Sequence, residues 1–320
     1  GTITGTVSNV VSLGAGIITV PLLVRALGTD AYGLLGVVSS VVGFVGMADL
    51  GLASTLMNAM SYAKAREDYG AVKGLYSGGL LVYTPLMLAL FCVAAFVVYA
   101  PWFSLAKLLS IPPALEGVAE LTVLIMLGYT MMNAFWGGVV KAVYHGMNDV
   151  AVYNTIQTAY NVIFALVFIA YLLWGDVTLF GVAFVQGAGA FVRLVIQHII
   201  AKRRYPWLSF VMSTKSVQSV RPLLQYSAVL FLSTASTIIL ERSDNIVIAH
   251  FAGLTAVAVY SLAYKLFYLP SAMLPIVTAS APAVAMLYEK KDWEALSRFY
   301  RQILRANIIV KFAVFSFLAV

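Results

Sequence analysis

The side chains able to do chemistry in this chain are charges set inside long apolar runs. The basic ones are Arg193, Arg242, Lys265 and Lys311, and the acidic ones are Asp49, Glu241 and Asp244. Arg25 stands at a tight polar turn between two such runs, close to Asp30. A charge near a bilayer centre costs about 2.5–3.5 kcal/mol on insertion scales, so each must face protein or water. Guanidinium and ammonium groups suit phosphate oxygens. The carboxylates suit sugar hydroxyls or a coupling cation, or they tune the field of the basic groups. Internal ion pairs, such as Asp244 with Arg242 or Lys265, are the alternative use of the same residues. Arg193 can also snorkel from its helix. His145, His198 and His250 lie far apart without metal-ligand spacing, so no metal or cofactor is expected.

These charges need a hydrophobic scaffold, and the composition supplies one. The 320 residues are 62% hydrophobic and only 10% charged, with a mean hydropathy of +0.92. A soluble domain is about one quarter charged. The apolar runs are continuous rather than alternating, which excludes a transmembrane barrel and gives an all-α polytopic membrane protein. The net charge of +7 does not point to nucleic acid, because the basic residues concentrate in short loops. The single Cys92 excludes an internal disulfide.

Apolar runs at about 2–24, 32–60, 75–99, 119–145, 150–174, 178–201, 223–250, 255–284 and 302–320 give roughly nine spans. The second and eighth are long and are expected to bend; Pro270, Pro275 and Pro282 make the eighth the expected mobile helix. With the N-terminus inside, fourteen Lys and Arg fall in the cytoplasmic connections, and the outer ones hold only Arg25 and Lys107. Residues 101–113 read as an interfacial outer loop, and the basic stretch 287–305 as an amphipathic loop at the inner surface. Gly74, Gly78, Gly187 and Gly189 read as close helix contacts. Asn133, Asn154, Gln157, Asn161 and Gln186 read as interhelical hydrogen-bonders.

The chain repeats itself. Asp68-Tyr-Gly-Ala-Val-Lys-Gly-Leu-Tyr76 matches Asp292-Trp-Glu-Ala-Leu-Ser-Arg-Phe-Tyr300, and Leu27-Gly28-Thr29-Asp30-Ala31 matches Ala252-Gly253-Leu254-Thr255-Ala256. The two offsets differ by one residue. Segments one to three therefore correspond to segments seven to nine, as parallel repeats about an axis normal to the membrane. The expected organisation is an N-terminal six-helix lobe over 1–201, a basic cytoplasmic linker over 202–222 and an incomplete C-terminal lobe over 223–320. The final apolar run breaks off at Val320, which reads as a truncated chain.

Two stretches carry a family resemblance. Pro21-Leu-Leu-Val-Arg25-Ala-Leu-Gly28 with Tyr32-Gly33-Leu and Asp49-Leu-Gly51-Leu resembles the opening hairpin of bacterial polysaccharide transporters, the Wzx-type flippases of the multidrug/oligosaccharidyl-lipid/polysaccharide flippase superfamily. Arg242-Ser-Asp244-Asn-Ile-Val-Ile-Ala-His-Phe-Ala-Gly253 with Val259-Tyr260-Ser-Leu-Ala-Tyr264-Lys265 resembles the opening of that family's second half. The resemblance implies a fold of twelve to fourteen helices and alternating access. It implies translocation of an undecaprenyl-diphosphate-linked oligosaccharide across the bacterial inner membrane, for O-antigen, exopolysaccharide or capsule assembly. Arg25, Asp49, Arg242, Lys265 and Arg193 are then the candidate substrate residues, and Glu241 and Asp244 candidates for ion coupling or charge pairing. Membrane lipids, a polymerase and a chain-length protein are the expected partners. A drug/cation antiporter or a lipid II flippase of the same superfamily is the alternative. A membrane-embedded polymerase or ligase ranks below both, because the outer loops are short and lack an Asp-rich motif.

Overall fold

The computed structural model describes residues 2–45, 51–100, 111, 113–273 and 292–318. Every regular element among them is a helix. In chain order these are α1 (Thr2–Leu27), α2 (Thr29–Val45), α3 (Leu52–Ala65), α4 (Tyr69–Val98), α5 (Pro113–Gly146), α6 (Val150–Trp174), α7 (Leu179–Arg204), α8 (Thr214–Met273) and α9 (Trp293–Leu318). Five stretches are long and apolar enough to cross a membrane: Tyr69–Val98, Leu115–Gly146, Val150–Trp174, Leu179–Arg204 and Ile238–Lys265. Gly14–Leu27 and Thr29–Phe44 are shorter apolar helices. Expected segment two is divided into α2 and α3, and Gly51 starts α3 in the left-handed region. Asp49 and most of the expected outer loop lie outside the described residues, as do Pro275 and Pro282. The basic stretch at the end opens α9, which continues without a break to Leu318.

The repeat seen in the sequence recurs as geometry. Gly28 turns the chain from α1 into α2 at φ 82°, and Gly253 breaks α8 into two limbs at φ 80°. Only glycine takes that backbone region without strain, so both corners are fixed by their residue type. The second matched block also behaves alike in both places. The Asp68 carboxylate accepts the Ala71 N–H at 2.8 Å, capping α4, and Asp292 accepts the Ala295 N–H at 3.0 Å, capping α9.

The first seven helices, called lobe one, pack around α5, whose spanning stretch is half buried, while that of α4 is mostly half-buried or exposed. α5 packs on α2, α3, α4, α6 and α7, and α1 lies along α6. At the end of the lobe opposite the glycine corners, Arg204 holds Asp149 through a two-pronged pair at 2.6 and 2.9 Å. Tyr205 donates to the same carboxylate. Those bonds keep the Asp149 carboxyl below its ordinary range, against a partial loss of solvent. Asp149 stands at the N-cap of α6 but does not cap it, because its oxygens are spent tying α7 to the α5–α6 turn.

The tightest meeting of helices runs between α2 and α8. Small residues Gly33, Gly36, Ser40 and Gly43 recur along one face of α2, and α8 seats against them. A Cβ on Gly33 would stand 2.0 Å from the Leu254 carbonyl oxygen, and one on Gly36 would stand 2.9 Å from Ser261 Oγ. Thr255 donates to Asp30 at 2.5 Å. Asp30 and Thr255 are counterparts in the repeat, and so are Gly36 and Ser261. A residue that meets its own counterpart lies on the rotation axis relating the halves. A second junction lies at the other end, where Gly78 of α4 would clash with the Ser216 carbonyl at 2.0 Å if it carried a Cβ. This places the start of α8 on lobe one, within the stretch expected as linker.

A Gly33→Leu substitution therefore has to push α2 from α8. In a Cys92→Ser background, cysteines at positions 30 and 255 are expected to cross-link efficiently under mild oxidation. Adding Gly33→Leu should reduce the cross-linked fraction several-fold.

Candidate functional site

The α2–α8 junction closes around a cavity of about 180 Å³. Its walls come from α1, α2, α5, α7 and both limbs of α8. Arg242 from the first limb and Lys265 from the second line it together, with Tyr32, Ser39, Gln186, Asn245, Tyr260 and Ser261 supplying hydroxyl and amide groups. Leu23, Leu35, Gly36, Met126 and Tyr264 complete the wall. The site is thus donor-rich and mixed in polarity, as binding cavities are.

Each cation is positioned by lobe one. Lys265 Nζ donates to the buried Tyr32 hydroxyl at 2.9 Å and lies 5.4 Å from the centre of that ring. The Arg242 side chain runs over Gly43, where an added Cβ would sit 3.2 Å from its Nε. Asn245 bridges the lobes: its amide nitrogen donates to Ser40 Oγ at 2.8 Å, and its oxygen accepts from Ser261 at 3.3 Å. The charge is asymmetric although the scaffold repeats. At the offset of the glycine corners, the counterpart of Lys265 is Ser40 and that of Arg242 is Ile17.

The remaining candidates fall in different places. Asp244 accepts from the Tyr260 hydroxyl rather than pairing with Arg242 or Lys265. Among the described residues the one ion pair is Arg204 with Asp149. Arg25 is exposed near the end of α1 and is absent from the cavity wall. Asp49 and the side chains of Glu241 and Lys311 lie outside the described residues. Arg193 does not line this cavity. It lines a separate one inside lobe one, where it donates to Asn133. The two spaces share one wall residue, Gln186, whose oxygen accepts from Tyr129 at 2.9 Å. No group of three metal-ligating side chains occurs among the described residues.

Of the expected amides, Asn133, Gln157 and Gln186 tie helices together, while the Gln157–Asn161 bond stays within α6. Gln197 on α7 reaches Gln157 on α6 at 3.3 Å, and Gln157 continues to Asn161 at 3.0 Å. Sequence reasoning passed over Tyr32 and Asn245 as site residues. Both sit inside the two quoted stretches, and the small-residue face of α2 at i, i+3, i+7 and i+10 was the signal that α8 packs there.

The arrangement is one of repeated membrane-type helices around a polar cavity. Its backbone superposes on an inward-facing multidrug resistance MATE family transporter of the MOP superfamily with a TM-score of 0.71, at 16% identity, over 98% of this chain and 69% of that one. The outward-facing form of a MATE family transporter gives 0.66, at 14% identity, over 99% and 70%. The Polysaccharide biosynthesis protein family model matches residues 1–288, and the chain belongs to that family. It is also similar to the uncharacterized membrane protein EpsK of Bacillus subtilis (strain 168), 21% identical over 288 residues. That match covers 90% of this chain and 56% of EpsK, so the chain spans little more than half that relative's length. Family and helices together define a multi-pass membrane protein of the polysaccharide biosynthesis family, with the fold seen in those transporters.

Asn245→Leu removes a bridge between the lobes without changing charge. Interhelical hydrogen bonds in membrane proteins average about 0.6 kcal/mol each. A loss of about 1 kcal/mol is expected, read as a drop of a few degrees in the unfolding midpoint of the detergent-purified protein.

Proposed function

We propose that the chain forms the translocation cavity of a flippase for a polyprenyl-diphosphate-linked oligosaccharide, in polysaccharide assembly. The observation that carries this reading is the presence of Arg242 and Lys265 on one interlobe wall, surrounded by neutral hydrogen-bonding groups. A diphosphate offers several anionic oxygens, and a forked guanidinium with a point-charge ammonium suits it. Asn245, Ser39 and Tyr260 suit the hydroxyls of the first sugars. Asp49 and Glu241 are retained as candidates for coupling-ion or field-tuning roles. Asp244 serves by orienting Tyr260. Arg25 serves at the mouth of the path rather than in the cavity wall.

At about 180 Å³ the cavity falls below the range of about 300–1,000 Å³ usual for drug-sized ligands. An oligosaccharide passes only if the lobes separate. The distribution of Lys and Arg favours a cytoplasmic N-terminus in the bacterial inner membrane. The corners at Gly28 and Gly253 then face outward, and the Asp30–Thr255 and Gly33–Leu254 contacts act as the outer closure. Residues 1–201 form the first lobe, 202–222 the cytoplasmic linker and 223 onward the second lobe. The polymerase and chain-length proteins that consume the flipped product are its natural partners. A cationic drug would meet two like charges in this wall, which disfavours the antiporter reading.

The test is complementation of a flippase-deficient strain by the whole gene product. Arg242→Ala or Lys265→Ala alone is expected to lower surface polysaccharide at least tenfold at unchanged protein level, and the double variant to abolish it. Normal polysaccharide with both groups removed would end this reading.

A further inference from the structure

The second cavity, about 380 Å³ within lobe one, is lined by α1, α5, α6 and α7. Arg193 enters it about fourteen residues along the 26-residue α7, roughly at mid-membrane depth by helix rise. The helices around it have nothing negative to offer. α1, α6 and α7 contain no Asp or Glu, and α5 has only Glu116 and Glu120 in its first turns. Glu120 is thirteen residues from Asn133, about 20 Å along the helix. Asp149 is bound to Arg204, at the far end of α7.

The guanidinium is nevertheless held in place. It donates to Asn133 Oδ1, and Asn133 is itself fixed by donating to the Tyr129 carbonyl at 2.7 Å. Its carbon lies 5.4 Å from the centre of the Tyr160 ring. Tyr160 is stacked on Phe164, and Phe164 fills the notch at Gly189, where a Cβ would come within 2.3 Å of its ring. Among the described residues, donors remain after these bonds: the other N–H groups of Arg193, the Gln186 amide nitrogen and the Thr19 hydroxyl. The Asn133 and Gln186 side-chain oxygens each already accept one bond, from Arg193 and Tyr129 respectively.

A fixed cation at membrane depth, with surplus donors and no acid near it on the lining helices, is an incomplete site. We propose that this cavity is a second ligand site, an oxyanion pocket in which one carboxylate or phosphate group pairs with Arg193. Gln186 lines both cavities, so a ligand held there stands next to the interlobe wall. An apolar groove of about 620 Å³ between α6 and α7 is also lined by Arg193. The oxyanion can therefore come from a soluble solute or from a lipid headgroup. The site is independent of the flippase reading, because neither its donors nor its cation belong to the interlobe wall apart from Gln186.

The test uses the full chain with Arg242→Ala and Lys265→Ala, which removes the cations of the other cavity. Unfolding midpoints are measured in neutral detergent against inorganic phosphate and against glucuronate at fixed ionic strength. They are also measured in nanodiscs of phosphatidylcholine with and without phosphatidylglycerol. A saturable rise in midpoint is expected with at least one probe. A response to phosphate or glucuronate identifies a soluble source, and a response to phosphatidylglycerol alone a lipid source. Arg193→Gln should abolish the response. Arg193→Lys, which keeps charge but loses the fork, and Gln186→Leu should each raise the half-saturating concentration about tenfold. If Arg193→Gln fails to fold, these two variants decide. No saturable response to any probe, or a response unchanged by these substitutions, would overturn the proposal.

Discussion

The close approach of α2 to α8 is the constraint from which the rest of the structure follows. Leu254 can reach the backbone of α2 only because Gly33 has no side chain, and Ser261 can approach Gly36 for the same reason. In a bilayer, water does not drive apolar helices together, so packing and interhelical hydrogen bonds must do so. The small-residue face of α2 supplies the packing, and Asn245 and Thr255 supply the hydrogen bonds. The two halves touch on their rotation axis, and the polar space beside that axis becomes the cavity.

The scaffold repeats, but the charge does not. Both cations in the cavity wall come from α8, and lobe one contributes the groups that hold them: the hydroxyl and ring of Tyr32 for Lys265, and the bare backbone of Gly43 for Arg242. Separation of the lobes would therefore strip each cation of its support at the moment the cavity widened. A phosphate-bearing ligand could take over those interactions, which links binding to opening by differential contacts in the two states.

Much of this was legible in the chain. The glycines of the two corners announced both the repeat and the turn geometry, because few other residues tolerate a positive φ. The Asp68 and Asp292 blocks announced two equivalent helix starts. Arg242 and Lys265 were legible as candidates because a charge in an apolar run has few uses, and the two do line one cavity. What the chain did not reveal is which charges share a space. Arg193 reads like Arg242 in sequence, yet α7 carries it into a different cavity, since helix rotation within a bundle is set by packing rather than by spacing along one helix. Asp244 reads as a partner for a cation, yet Tyr260 reaches it first. Tyr32 and Asn245 are ordinary residues by type and become part of the site only through the α2–α8 contact.

The central claim is that cargo carried on a prenyl diphosphate passes beside Arg242 and Lys265. Site-specific photo-crosslinking in membranes making the lipid-linked glycan tests it most directly, with the photoreactive residue at Met126 in the cavity wall or at Phe96 on the lipid-facing surface. The account predicts labelling by the glycan lipid at position 126 that is lost in the Arg242→Ala/Lys265→Ala background. Labelling at 96 but not at 126, or labelling at 126 unaffected by loss of both cations, would contradict it.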